Sequence, residues 1–103
     1  MKERLWVVQT TLPGDWLDPV VGEWAHNLVN TGPAVCVHIS RVVSMYKDEG
    51  NTISSEEWRL QIKTSIRKKK ELIQLIKKNH PYDIPQILFW EVHANMEYLE
   101  WAY

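Results

Sequence analysis

The segment TISSEEWRLQIKT, Thr52 to Thr64, decides how this chain is read. Trp58, Leu60 and Ile62 alternate with Glu57, Arg59, Gln61 and Lys63, a period of two that belongs to a strand with one dry face and one wet face. Upstream lies a second β-type run, Ala34 to Tyr46, in which Val35, Val37 and Ile39 alternate. Between the two runs, KDEGN (Lys47 to Asn51) is turn chemistry. The pair predicts a long β-hairpin.

Working outward from the hairpin, RLWVVQTTL (Arg4 to Leu12) is rich in β-branched and aromatic residues and stops at Pro13-Gly14, which predicts a strand and a turn. A helix follows, with Asp15 as the expected N-cap and Trp16, Val20, Trp24 and Leu28 at helical spacing. Pro19 fits only its first turn, and Gly32 suits its exit. Beyond the hairpin, SIRKKKELIQLIKKN predicts a helix with an apolar stripe of Ile66, Leu72, Ile73, Leu75 and Ile76, its lysines outside. Pro81 disfavours helical geometry at His80 and so ends it, and Lys77 and Lys78 suit the negative end of the helix dipole. A strand is expected over Ile84 to Val92 with Pro85 near its start, then a short helix in NMEYLEWAY with Met96, Leu99 and Tyr103 on one face. The order is β-α-β-β-α-β plus a terminal helix. That is an α+β, ferredoxin-like arrangement of four antiparallel strands with two helices on one face.

With 103 residues the chain suits one domain, residues 1–103, and one modest core. A net charge of -1 speaks against a nucleic-acid partner, which selects for basic surfaces. No segment approaches the ~20 apolar residues of a membrane span, and the apolar run near the start is too short for a signal peptide. The single cysteine, Cys36, allows no intrachain disulfide, and the chain reads as cytoplasmic. Six Trp and four Tyr exceed what so small an interior takes up, which favours aromatics at an oligomer interface. Trp58, Trp90 and Trp101 are the expected contributors.

HPYDIPQIL followed by YLEW resembles the CutA family of divalent-cation tolerance proteins, through His80, Pro81, Tyr82, Pro85, Ile87, Tyr98, Leu99 and Trp101. TTLP at Thr10 to Pro13, AVCV around Cys36, Tyr46 with Gly50, and Glu57 with Lys63 and Thr64 extend the resemblance along nearly the whole chain. The departures are Lys47 and Asp48 where aromatics are common, Gln86 in place of a glutamate, and Ala94-Asn95 where a glycine is usual. The resemblance implies a homotrimer of the type formed by PII proteins, and a binding or signalling role in divalent-cation tolerance rather than an enzymatic one. The alternatives are an interfacial small-ligand sensor of PII-like type, or an enzyme with its site between subunits. Strands two and three are expected to reach past the body of the subunit and pair with a neighbour's sheet edge, which removes an exposed edge that would invite aggregation.

Tyr46, Glu57, Lys63 and Tyr82 are the candidates for an interfacial ligand cleft, with His80 beside them in the enzymatic alternative. No catalytic residue is assigned. Imidazole and thiolate chemistry singles out His80 and Cys36 as metal candidates, the latter with His38 two residues on and on the same strand face. Against the thiolate role, a free cysteine among Ala34, Val35 and Val37 is ordinarily a buried small hydrophobe. In the family a metal has been placed near the His-Pro-Tyr segment and the end of strand one, and some members have a cysteine and a second histidine where this chain has Thr10 and Asn79. Any divalent metal such as copper is therefore expected to bind weakly, and no cofactor is required.

Overall fold

A computed structural model describes residues 4–103. The elements run β1 (Arg4–Pro13), α1 (Asp18–Asn30), β2 (Cys36–Asp48), β3 (Asn51–Thr64), α2 (Lys69–Asn79), β4 (Leu88–His93) and α3 (Met96–Ala102). The four strands form one antiparallel sheet in the order β2-β3-β1-β4, as the ferredoxin-like reading expects.

Alternation along the strands sorts the sheet into two faces. Val8, Thr10 and Leu12 of β1 stand opposite Ile62, Leu60 and Trp58 of β3. These residues face α1 and α2, and the core closes on Val21, Ala25 and Leu28 of α1 and Leu72 and Ile76 of α2. The other face carries Leu5 and Val7, both buried, and Cys36. It is covered near Cys36 by α3, whose Leu99 is buried and whose Tyr98 meets the Cys36 thiol. Part of the cover expected from a neighbouring chain is thus supplied by the chain itself.

The hairpin is longer than the body of the sheet. β2 and β3 pair from Cys36↔Lys63 out to Asp48↔Asn51, whereas β1 pairs with β3 only as far as Pro13↔Glu57. Val43 to Glu56 therefore project beyond β1. The turn has positive φ at Glu49 (49°) and Gly50 (83°), the geometry whose twist matches that of paired strands. The chain extends 47 × 27 × 22 Å.

Several local readings shift. α1 begins after Leu17 rather than Asp15, because Trp16 N–H bonds to Pro13 C=O in a turn and Pro19 sits in the first helical turn. Its buried line is Val21, Ala25 and Leu28, while Val20 is exposed. Ile66 lies in the turn before α2 and is also exposed. β4 starts at Leu88, since Ile84 to Ile87 run as an irregular segment. Cys36 is only partly buried. On α3, Leu99 is buried and Met96 is exposed, and Tyr103 turns back to donate its hydroxyl to Arg4 C=O at 3.0 Å. The lysines at the start of α2 are not all solvated: Lys69 Nζ lies 3.8 Å from the centre of the Trp6 ring, and Lys68 Nζ donates to Gly32 C=O.

Candidate functional site

The end of β1 builds a cleft. β1 stops at Pro13, opposite Glu57, and the next residues turn away toward α1. The projecting hairpin forms one wall, and the segment after α2 forms another. The cleft measures about 760 Å³ and is lined among others by Asp15, Ser44, Tyr46, Glu57, Tyr82 and Gln86.

Glu57 is its fixed point. One carboxylate oxygen accepts the Ser44 hydroxyl at 2.6 Å, and the other accepts the Tyr82 hydroxyl at 2.7 Å. Ser44 and Tyr46 are two residues apart on β2 and share a face, so Tyr46 lies over the same cleft. Burial, the hydrogen bond to Glu57 and the negative charge around it push the Tyr82 phenol well above the ordinary tyrosine range. Around neutral pH it is therefore protonated and acts as a hydrogen-bond donor.

His80 is fixed more tightly than a surface histidine. The Tyr82 backbone N–H donates to Nδ1 at 3.1 Å, so Nδ1 carries the lone pair. Nε2 then carries the proton and donates to Thr11 C=O and to Thr10 Oγ1, both at 2.9 Å. The Thr10 hydroxyl is free to accept because its own proton goes to Gln86 C=O at 2.7 Å. Tyr82 and Trp24 pack against the ring, with centroids 5.1 and 6.1 Å away. The geometry leaves one tautomer.

Burial lowers the His80 pKa below the ordinary 6.5, against the opposing pull of Thr11 C=O and Glu57. In the window between 6.5 and that lowered value the unfolded chain holds more protons than the folded one. The neutral ring's contribution to stability is therefore complete above 6.5 and lost as pH falls through the folded value. Urea unfolding at pH 7.5, 6.5 and 5.5 is expected to show a falling midpoint, with a shallower fall in His80→Gln. Equal slopes in the two proteins would exclude His80 as the source.

Of the expected cleft residues, Tyr46, Glu57 and Tyr82 converge, and Lys63 does not. Lys63 stands six residues from Glu57 along β3, roughly 20 Å at strand rise. It opposes Cys36 and donates to His38 Nδ1 at 3.1 Å. His80 and Cys36 are likewise separated: His80 meets Thr10 on the helix side of the sheet, and Cys36 faces α3. Among the described residues no three His, Cys, Asp or Glu side chains are grouped to hold a metal. The set around His80 fits a metal poorly on its own geometry, since both ring nitrogens already have partners. Sequence reasoning passed over Ser44 and gave Thr10 only the negative role of a missing thiol. The signal for Ser44 was its place two residues before Tyr46 on one strand face.

The sequence model of the CutA1 divalent ion tolerance protein family matches residues 7–103. The divalent-cation tolerance protein CutA of Thermococcus kodakarensis is 34% identical over 96 residues, covering 92% of this chain and 89% of that protein. Among solved structures, CutA1 from Pyrococcus horikoshii superposes with a TM-score of 0.85 at 30% identity, covering 94% of this chain and 93% of that one. The divalent cation tolerance protein of Thermus thermophilus gives 0.83 at 31% identity, covering 95% and 94%.

Proposed function

The chain belongs to the CutA1 divalent ion tolerance protein family, and from that premise we propose that it acts by binding a ligand in the hairpin cleft rather than by catalysis. The arrangement of Glu57 carries this reading. Both of its oxygens are occupied by hydroxyl donors from two different segments, Ser44 and Tyr82. A carboxylate held this way shapes a recognition surface and is badly placed to take a proton from a substrate. Tyr82, with its raised pKa, is equally unsuited to give one up near neutrality. Divalent-cation tolerance, including any response to copper, is then a consequence of sensing rather than of sequestration. The proposed setting is cytoplasmic. The free thiol of Cys36 suits a reducing compartment. Complementation tests the role. A host lacking its own family member is expected to regain growth on copper with the wild-type chain and not with Tyr82→Phe. Full rescue by Tyr82→Phe would overturn the cleft as the working site.

The same reading includes a homotrimer. The projecting hairpin exposes Val43 (69%) and Met45 (71%), and β4 exposes Leu88, Phe89 and Trp90 along an open sheet edge. A long unpaired edge beside apolar side chains is a hazard that pairing with a neighbouring chain removes. Trp101 and Trp90 remain available for such contacts, at 64% and 39% exposure. Trp58 is committed within its own chain: its indole N–H donates to Trp16 C=O at 2.9 Å, and Arg41 stacks on its ring. Sedimentation equilibrium at micromolar concentration is expected to give three times the chain mass, and Val43→Glu/Met45→Glu to shift it toward the monomer. A wild-type monomer would sink the assembly.

A further inference from the structure

We propose that His80 is a positioning residue that holds Tyr82 over Glu57, and that this task removes it from the reach of divalent metals. The proposal rests on the reading of the cleft as the working site.

The residues form one continuous chain of hydrogen bonds. It starts at the fully buried Thr10 of β1 and passes through the His80 ring to the Tyr82 backbone. From Tyr82 it leaves through the phenol to Glu57 and ends on Ser44 of the projecting hairpin. Every link has a fixed donor and acceptor, because the Tyr82 N–H dictates the tautomer and the Thr10 proton is spent on Gln86 C=O. The loop after α2 contains Pro81 and Pro85 and has no ladder of its own; Trp24 ties one flank at Asn79 C=O, Thr10 ties the other at Gln86 C=O, and between them His80 holds the Tyr82 backbone.

A metal must take a lone pair on one ring nitrogen. Binding at Nδ1 displaces the Tyr82 amide. Binding at Nε2 breaks the bonds to Thr10 and Thr11 and forces the proton onto Nδ1, where it meets the Tyr82 N–H donor to donor. Either route dismantles the cleft wall, and Thr10 and Asn79 supply neither thiolate nor imidazole to compensate.

Histidine-labelled nitrogen NMR on the full chain tests both halves. The wild type is expected to show His80 with a bare Nδ1 and a protonated Nε2 at neutral pH, unchanged by one equivalent of zinc, and calorimetry with copper should show no stoichiometric site that His80→Ala removes. Contacts between the Tyr82 ring and the Glu57 methylenes should be lost in His80→Ala and kept in His80→Asn, whose side-chain oxygen can accept the Tyr82 N–H in place of Nδ1. Unchanged Tyr82 contacts in His80→Ala, or a stoichiometric zinc shift at His80, would overturn the proposal. None of these readouts requires a cleft ligand, so failed complementation of the cleft reading and failure of the His80 lock are separate results. If His80→Ala does not fold, the wild-type tautomer and zinc measurements still decide the case.

Discussion

Gly14→Ala is expected to cost about 3 kcal/mol of folding stability, toward the upper end of overpacking penalties. A β-carbon on Gly14 would sit 2.0 Å from the Glu56 carbonyl oxygen and 2.6 Å from its carbon. What it meets is backbone, and that backbone cannot give way without breaking the ladder in which Glu56 opposes Val43. Nor can the turn retreat. The Gly14 carbonyl accepts Arg41 at 2.8 Å, Arg41 also pairs with Glu56, and the neighbouring Trp16 carbonyl holds the Trp58 indole. At 4–8 °C per kcal/mol for a chain of this size, thermal unfolding should move down by about 12–24 °C. Gly22 provides the control, since nothing lies within 4 Å of a β-carbon there. Gly22→Ala, inside α1, is expected to be neutral or to stabilise by about 0.5–1 kcal/mol. A Gly14→Ala protein melting within a few degrees of wild type would show that the turn is not clamped.

Leu60→Ala should be of similar size, roughly 2–5 kcal/mol, through the cavity it leaves. Leu60 is fully buried where β3 is flanked on both sides, with Thr10 beside it on β1 and Ile39 on β2. Ile39 occupies the same sheet face one strand over, yet it is 42% exposed. Its truncation to alanine should therefore cost under about 1.5 kcal/mol in the monomeric chain, because less apolar surface is removed from a packed environment. Urea midpoints of the two variants check the contrast. A cost at Ile39 as large as that at Leu60 would mean that something outside the chain buries the β2 edge, which the proposed assembly would supply.

The topology was legible because it follows from periodicity. The alternation of Trp58, Leu60 and Ile62 is strong enough to set the strand and its dry face, and the structure keeps both. What periodicity leaves open is phase. On α1 the choice between a line through Val20 and Trp24 and one through Val21, Ala25 and Leu28 depends on where the helix starts. The turn at Pro13 to Trp16 sets that start through backbone bonds. The site was legible in part for a similar reason. Tyr46, Glu57 and Tyr82 stand out as polar or aromatic residues beside turns and strand ends. Lys63 carries the same signal in sequence, and only the register of β3 places it far along the strand, at Cys36. The role of His80 depends on which proton goes where, and that follows from three backbone or hydroxyl partners, two of them distant in sequence.

The way β1 enters the sheet has a consequence for how the molecule assembles. The hairpin can zip from its own turn, with partners such as Arg41 and Glu56 only 15 positions apart. β1 pairs instead with β3 and β4, and its Arg4–Glu91 contact joins residues 87 positions apart. Closing so long a loop costs more chain entropy than closing the hairpin, by about 0.6 kcal/mol per doubling of length, before any contact rewards it. β1, one of the two inner strands, is therefore expected to dock after the hairpin, between β3 and β4. Until it arrives, Thr10 and Thr11 are absent, and the cleft has neither its floor nor its lock.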